Sequence, residues 1–252
     1  MHGLRCRDFF LALCFSTGFV FIGDVSSVDA ASASTSLDSV SSSANPTNVN
    51  SVSWLHTATS TGVNTILVVG AVSRDSTDAD RPVVSVTYDG IALTKVRQDD
   101  EPVNNVYSSL WYLVHPPSGT HTVTANYAAP VTEAFGTALS FTGVDQTAPI
   151  DVHAGYTQSG GTTSTKTVTT TSDNAWVLGI QYAGAGSSAT PTSGQAQRLN
   201  QQVSIGRTTD RVIVTTKGPL SPTGTTAMSY TYSESSQVAL SIVGLRRGQD
   251  PQ

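Results

Sequence analysis

Residues 64–73 read NTILVVGAVS, a continuous β-branched run that is too short for a core helix and bounded by polar residues. Such a run predicts a strand covered on both faces, because a half-exposed strand would alternate apolar with polar. Outward from it the same grammar repeats. VVSVTYDGIALTKV (83–96) predicts a hairpin with Asp89-Gly90 as its two-residue turn. VYSSLWYLV (106–114) is a further strand, stopped by Pro116 and Pro117, and TALSFTGV (137–144) another. THTVTANY (120–127) alternates strictly, setting His121, Val123 and Ala125 opposite Thr120, Thr122 and Thr124. Charged residues are only 12% of the chain, and no stretch carries an apolar stripe at helical period. Turn signals about every ten residues then predict an all-β chain, an antiparallel β-sandwich of jelly-roll or Ig-like type.

The chain also repeats itself. TALSFTGV (137–144) is matched by VALSIVGL (238–245), TILVVG (65–70) by NAWVLG (174–179), and SGTHTVTANY (118–127) by TGTTAMSYTY (223–232), in the same order. A spacing near 100 residues predicts two domain-sized copies rather than a solenoid. The expected organisation is a targeting segment at 1–30, a Ser/Ala-rich leader at 31–50, copies at 51–148 and 149–247, and a tail at 248–252. The leader reads as solvated, with at most an edge strand docking by Leu37 and Val40. Where the first copy has its Asp-Gly hairpin, the second has ATPTSGQAQRL (189–199). Whether the copies stand in tandem or pair their sheets in one body stays open.

Arg5 and Arg7 precede the apolar run FFLALCFSTGFVFIG (9–23), and small residues then allow cleavage after Ala30 or Ala33. This predicts export by a signal peptide; a retained anchor or lipidation at Cys14 is the alternative, weakened by the bulky Leu13. Cys6 and Cys14 both fall in that segment, so the exported chain has no disulfide and depends on buried apolar area. Removing 1–30 leaves 11 basic and 15 acidic residues, with Lys95, Lys166 and Lys217 the remaining lysines. Without a basic patch, nucleic acid is not an expected partner. No second run is long enough to span a bilayer, and the tail LRRGQDPQ carries no anchor signal, so the released chain is expected outside the cell or at its surface.

LHTAT (55–59), ILVVGAV (66–72), VTYDGIALT (86–94), SLWYLVHPPSGTHTVT (109–124) and ALSFTGVDQTAPI (138–150) together resemble a widespread group of secreted bacterial surface proteins. GQAQRLNQ (194–201) and the TTKGPL…TGTTAMSYT region (215–231) extend the likeness through the second half. The resemblance implies a β-sandwich in an extracellular, often modular, setting, and implies no activity.

Local chemistry is sparse. In RDSTDADR (74–81), Asp75, Asp78 and Asp80 are candidate calcium ligands, with Gln98-Asp99-Asp100-Glu101 as a second acidic loop nearby. Arg74 and Arg81 lower the local charge, and the plainer reading is a solvated loop. His56, His115, His121 and His153 lack a GxSxG serine or an HExxH partner, and Glu101, Glu133 and Glu234 read as loop residues without a glycosidase pairing. The chain is therefore expected not to be an enzyme. Trp54, Trp111 and Trp176 lie on predicted strands, where core packing competes with sugar stacking. Tyr230 and Tyr232 share a strand face and form a candidate ligand platform. The expectation is a secreted structural or adhesive protein, with other surface proteins, further copies of itself or an extracellular glycan as partners. The alternative is a carbohydrate-binding module using exposed aromatic side chains.

Overall fold

The computed structural model describes residues 34–249 apart from 45, 60–62, 76–80, 104, 185–187, 193 and 204–209, so the targeting segment lies outside the described residues. These residues belong to one compact unit and form seventeen strands, with no helix among them. No helix long and apolar enough to cross a membrane is present among them.

The first half comprises β1 (Ser36–Ser42), β2 (Val49–Ala58), β3 (Ile66–Arg74), β4 (Val83–Tyr88), β5 (Ile91–Ala92), β6 (Thr94–Glu101), β7 (Val106–Val114), β8 (Gly119–Val131) and β9 (Glu133–Thr142). The second comprises β10 (Ile150–Gln158), β11 (Thr163–Thr169), β12 (Ala175–Ala183), β13 (Ala189–Pro191), β14 (Ala196–Gln202), β15 (Arg211–Leu220), β16 (Thr225–Tyr232) and β17 (Val238–Leu245). Each half builds a five-stranded inner sheet, β1-β9-β3-β7-β6 and β10-β17-β12-β15-β14. Each also builds a smaller outer sheet, β2-β8-β4-β5 and β11-β16-β13. In both, the first strand pairs with the last, the second with the next to last, and the third with the third from last. That nested antiparallel pairing is jelly-roll-like.

The four sheets stack as layers. One core lies between the two inner sheets and mixes both halves: Ile66, Val68, Leu110, Leu139 and Phe141 meet Trp176, Leu178, Ile180, Val214 and Val243. The other two cores lie between each inner sheet and its own outer sheet. The apolar continuity of residues 64–73 now has its cause. Ile66, Val68 and Val72 face the other half, while Leu67, Val69 and Ala71 face the outer sheet, so neither side of β3 meets water. β2, with solvent on one face, alternates strictly instead. Burying each large aliphatic side chain contributes about 1.5–3 kcal/mol, so the shared core ties the halves together. Phe141 and Trp176 meet edge to face across it at 5.6 Å. Gly70 permits a close approach within this core, since a Cβ there would lie 2.5 Å from Ile180 Cδ1.

The leader forms the edge strand: Ser36–Ser42 is β1, hydrogen-bonded along β9 at the edge of the inner sheet, with Leu37 against the shared core and Val40 37% exposed. The first half therefore begins before residue 51, and that boundary falls inside β2. Gln98–Glu101 is not a loop but the end of the edge strand β6. Glu101 and Glu133 are buried strand-end residues rather than loop residues.

The matched segments TILVVG/NAWVLG, SGTHTVTANY/TGTTAMSYTY and TALSFTGV/VALSIVGL do fall on equivalent strands, β3/β12, β8/β16 and β9/β17. Facing agrees only for the second pair. Leu67, turned to the outer sheet, aligns with Trp176, turned to the shared core, and Leu139 likewise aligns with the oppositely facing Leu240. An odd-residue slip inverts every side chain of a strand. The halves are thus alike in strand order, and less alike in letters than the matches suggest. The Asp89-Gly90 turn forms as expected, with φ of 51° and 78°, the left-handed pair a type I′ hairpin requires.

Candidate functional site

Asp75 sits just past β3, and its carboxylate pairs with Arg81 Nε and accepts from Thr132 Oγ1 at 3.3 Å. Asp78 and Asp80 lie outside the described residues. Asp99, from the second acidic stretch, is held by Arg97 and accepts from Ser241 Oγ, at the junction with the second half. Among the described residues no group of three or more His, Cys, Asp or Glu side chains is placed to hold a metal ion. Asp75, the described acid of the calcium expectation, is paired with Arg81.

Tyr230 and Tyr232 do share a face, but it is the interior one. They are 1% and 6% exposed, and their hydroxyls bond Thr215 Oγ1 and Ser164 Oγ. Burial pushes both phenols well above their ordinary range. The platform expectation is corrected: alternation shows which residues share a face, not which face meets water. All three tryptophans are also buried, and each indole N–H is satisfied inside the fold, on Ser41 Oγ, Ser109 Oγ and the Thr35 carbonyl.

Two polar clusters that the sequence did not reveal lie inside. In the first, His56 stands between Ser39 and Ser41, with Nε2 3.2 Å and Nδ1 2.9 Å from their hydroxyls. Ser39 contacts Ser140, which donates to Asp38 at 2.6 Å. Burial pushes the imidazole down to about 4, against the pull of Asp38. Burial alone would raise Asp38, but hydrogen bonds from Ser140 and Thr59 outweigh it and hold the carboxyl below its usual range. This is not a catalytic triad. Both ring nitrogens face serine hydroxyls, the carboxylate is separated from the ring by two serines, and the imidazole is 1% exposed. The i, i+2 spacing of Ser39 and Ser41 was its one visible trace.

The second cluster spans the halves. Arg74 Nη1 lies 2.6 Å from Asp210 and 3.3 Å from Glu133, and Tyr182 donates to both carboxylates. Burial, and then the charge of Asp210, push Glu133 up to about 7, with Arg74 opposing. Two carboxylates, one guanidinium and one phenol bond one another here.

What the fold presents to solvent is different in kind. On the first outer sheet, Ser51, Ser53, Leu55 and Thr57 of β2 lie beside Thr120, Thr122, Thr124 and Asn126 of β8. Ser53–Thr124 and Thr57–Thr120 hydroxyl pairs lie 2.8 and 2.7 Å apart. On the second outer sheet, Thr163, Thr165, Thr167 and Thr169 of β11 pair with Thr231, Ser229, Ala227 and Thr225 of β16, of which Ser229 is covered. No charged side chain occupies these outward positions. Each half thus ends in a sheet face of hydroxyl rows about 4.8 Å apart.

No family model, no curated protein and no solved structure matches the chain. The hydroxyl faces and the enclosed polar clusters therefore carry the functional reading by themselves.

Proposed function

We propose that this chain is a secreted, non-catalytic structural or adhesive protein of the cell surface or extracellular space, of the bacterial surface-protein kind that its motifs resemble. The observation that carries the reading is the pair of charge-free hydroxyl faces on opposite outer sheets of one body. A rigid four-layer stack with a contact face at each side suits a module that joins two neighbours. The ionisable clusters at His56 and Glu133 support the non-catalytic part, since their groups are used on one another within the fold. The N-terminal sequence of the exported protein is expected to begin at Ala31 or Ser34.

The adhesive reading is tested by binding of the mature protein to isolated cell envelope and to extracellular polysaccharide. Thr122→Lys with Thr165→Lys, one charge per face, should weaken retention at least tenfold while the thermal melt stays unchanged. Retention unaffected by both charges would overturn the contact role of these faces. β1 is used within its own sheet, and the Thr35 carbonyl accepts from Trp176. Deleting residues 31–50 is therefore expected to destabilise the fold itself. The carbohydrate-binding alternative loses its aromatic platform to the core.

A further inference from the structure

The two halves hold their first strands by different means. β10 docks through Ile150, Val152, Ala154 and Tyr156, which pack against the cores on the two sides of its sheet. Of the apolar residues of β1, Leu37 reaches a core and Val40 is exposed. The middle of β1 is held instead by polar groups gathered on His56 and Asp38. The His56 ring, from β2, lies between Ser39 and Ser41 of β1, 3.2 and 2.9 Å from their hydroxyls. Asp38 accepts from Ser140 of β9 at 2.6 Å, and from the amide and hydroxyl of Thr59, just past β2, at 3.0 and 2.6 Å. An edge strand docked in this way depends on the protonation state of two side chains, where β10 depends on buried area.

Hydrogen bonding fixes the state of the ring. Trp54 Nε1 donates to Ser41 Oγ, and Ser39 Oγ donates to the Thr57 carbonyl. Nε2 therefore carries its proton toward Ser39, while Nδ1 accepts from Ser41. A second proton, on Nδ1, takes away the acceptor of the Ser41 hydroxyl and sets a cation at a residue 1% exposed. The other titratable groups around the ring, among the described residues, are Asp38 on β1, Tyr88 on β4 and His121 on β8. His121 is the rung partner of His56 and lies 3.3 Å from Asp89, and β9 contributes the neutral Ser140. Burial holds the imidazole down to about 4, so its hold on β1 is present above about 6.5 and is lost as pH falls through 4. Burial raises Asp38, but hydrogen bonds from Ser140 and Thr59 outweigh it and keep the carboxyl low, so its hold is lost in the same direction. Glu133, at the junction of the halves, is raised and responds in the opposite sense.

We propose that β1 is a strap that acid opens: with Nδ1 of His56 protonated, residues 36–42 part from β9 and uncover its edge, a row of backbone donors and acceptors. Thr35 and Ser43 are tied to Gly143 and Gly136 by neutral hydrogen bonds, which keep the register for re-docking. The strap uses none of the outward residues of the hydroxyl faces, so it stands or falls apart from the adhesive reading. The test is amide hydrogen exchange of the full mature protein at pH 7 and at pH 4, each corrected for the intrinsic rate. Protection of residues 36–42 should fall by about tenfold or more at pH 4 and return at pH 7, while β10 keeps its protection. The His56 ring, followed by NMR, should titrate with the same midpoint as the loss of β1 protection. His56→Gln, neutral at both pH values and able to bond both serines, should remove most of the acid response. Equal protection of β1 at the two pH values overturns the strap, as does loss in β1 and β10 together, which is global unfolding. A ring that stays neutral while β1 opens, or a His56→Gln variant with the full acid response, overturns the part given to His56.

Discussion

The first half fills the space under its outer sheet with Trp54 of β2, whose ring lies over Gly136 of β9. The second half uses Tyr230 of β16, whose hydroxyl lies over Gly179 of β12. A Cβ at Gly136 would lie 2.2 Å from the Trp54 ring, and one at Gly179 would lie 3.0 Å from the Tyr230 oxygen. Ala125 sits in β8 where Tyr230 sits in β16, and Lys166 sits in β11 on the rung that Trp54 occupies in β2. Bulk has moved from one strand to its neighbour, and the glycine that makes room for it has moved as well. The same strand order therefore holds with different interiors, because packing requires filled volume at each layer and not particular letters. The halves also differ in polarity: His56 occupies the rung that Val168 occupies in the second half, so the serine–histidine cluster belongs to the first alone.

The strongest way to break the comparison is at the core the halves share. Phe141→Ala should cost about 3–5 kcal/mol, and urea unfolding followed by fluorescence and by circular dichroism should still show one transition. Two separated transitions would mean that the halves fold independently. The glycines come next. Gly136→Ala forces the rigid Trp54 ring aside and should cost about 1–3 kcal/mol, whereas Gly179→Ala should cost less, since it meets only the far end of Tyr230. Equal losses would show that the two fillings are not as different as the geometry makes them.

The polar clusters predict opposite responses to pH. Glu133 is raised to about 7 in the fold, so its contribution is fully present below about 4.5 and is lost as pH rises through 7. His56 is lowered to about 4, so its contribution is present above about 6.5 and is lost as pH falls through 4. Glu133→Gln should remove a loss on the order of 2–3 kcal/mol between pH 4.5 and 7, read as a flatter profile of denaturant midpoint against pH. An unchanged profile would mean that another group governs that window. The smallest effect expected is Tyr230→Phe, about 1 kcal/mol, for the loss of the hydrogen bond to Thr215; a larger loss would show that its hydroxyl also spaces the sheets at Gly179.

Much of the fold was legible in the chain. VYSSLWYLV and VALSIVGL are strands over the residues expected, and Asp89-Gly90 makes its turn, because β-branched runs and left-handed turn residues state their conformations locally. SLDSVSS was legible only as an edge strand docking by Leu37 and Val40, and not as one side of a polar cluster. One of its faces serves hydroxyls to His56 rather than apolar atoms to a core, so the usual alternation is missing. Gln98–Glu101 reads as a loop because a run of acids suggests solvent, whereas Asp99 is paired with Arg97 on its own strand and accepts from Ser241 Oγ of the second half.

By itself the sequence determined the strands, their turns, the low charge and the Thr-rich outward positions. These follow from each residue's own conformational and solvation preferences. Only the tertiary structure decided that the halves press their inner sheets together into one body, that Trp54, Tyr230 and Tyr232 turn inward, and that His56 and Glu133 are enclosed. A strand's period says which side chains share a face. What lies against that face is settled by segments a hundred residues away, through burial and close packing that no local pattern encodes.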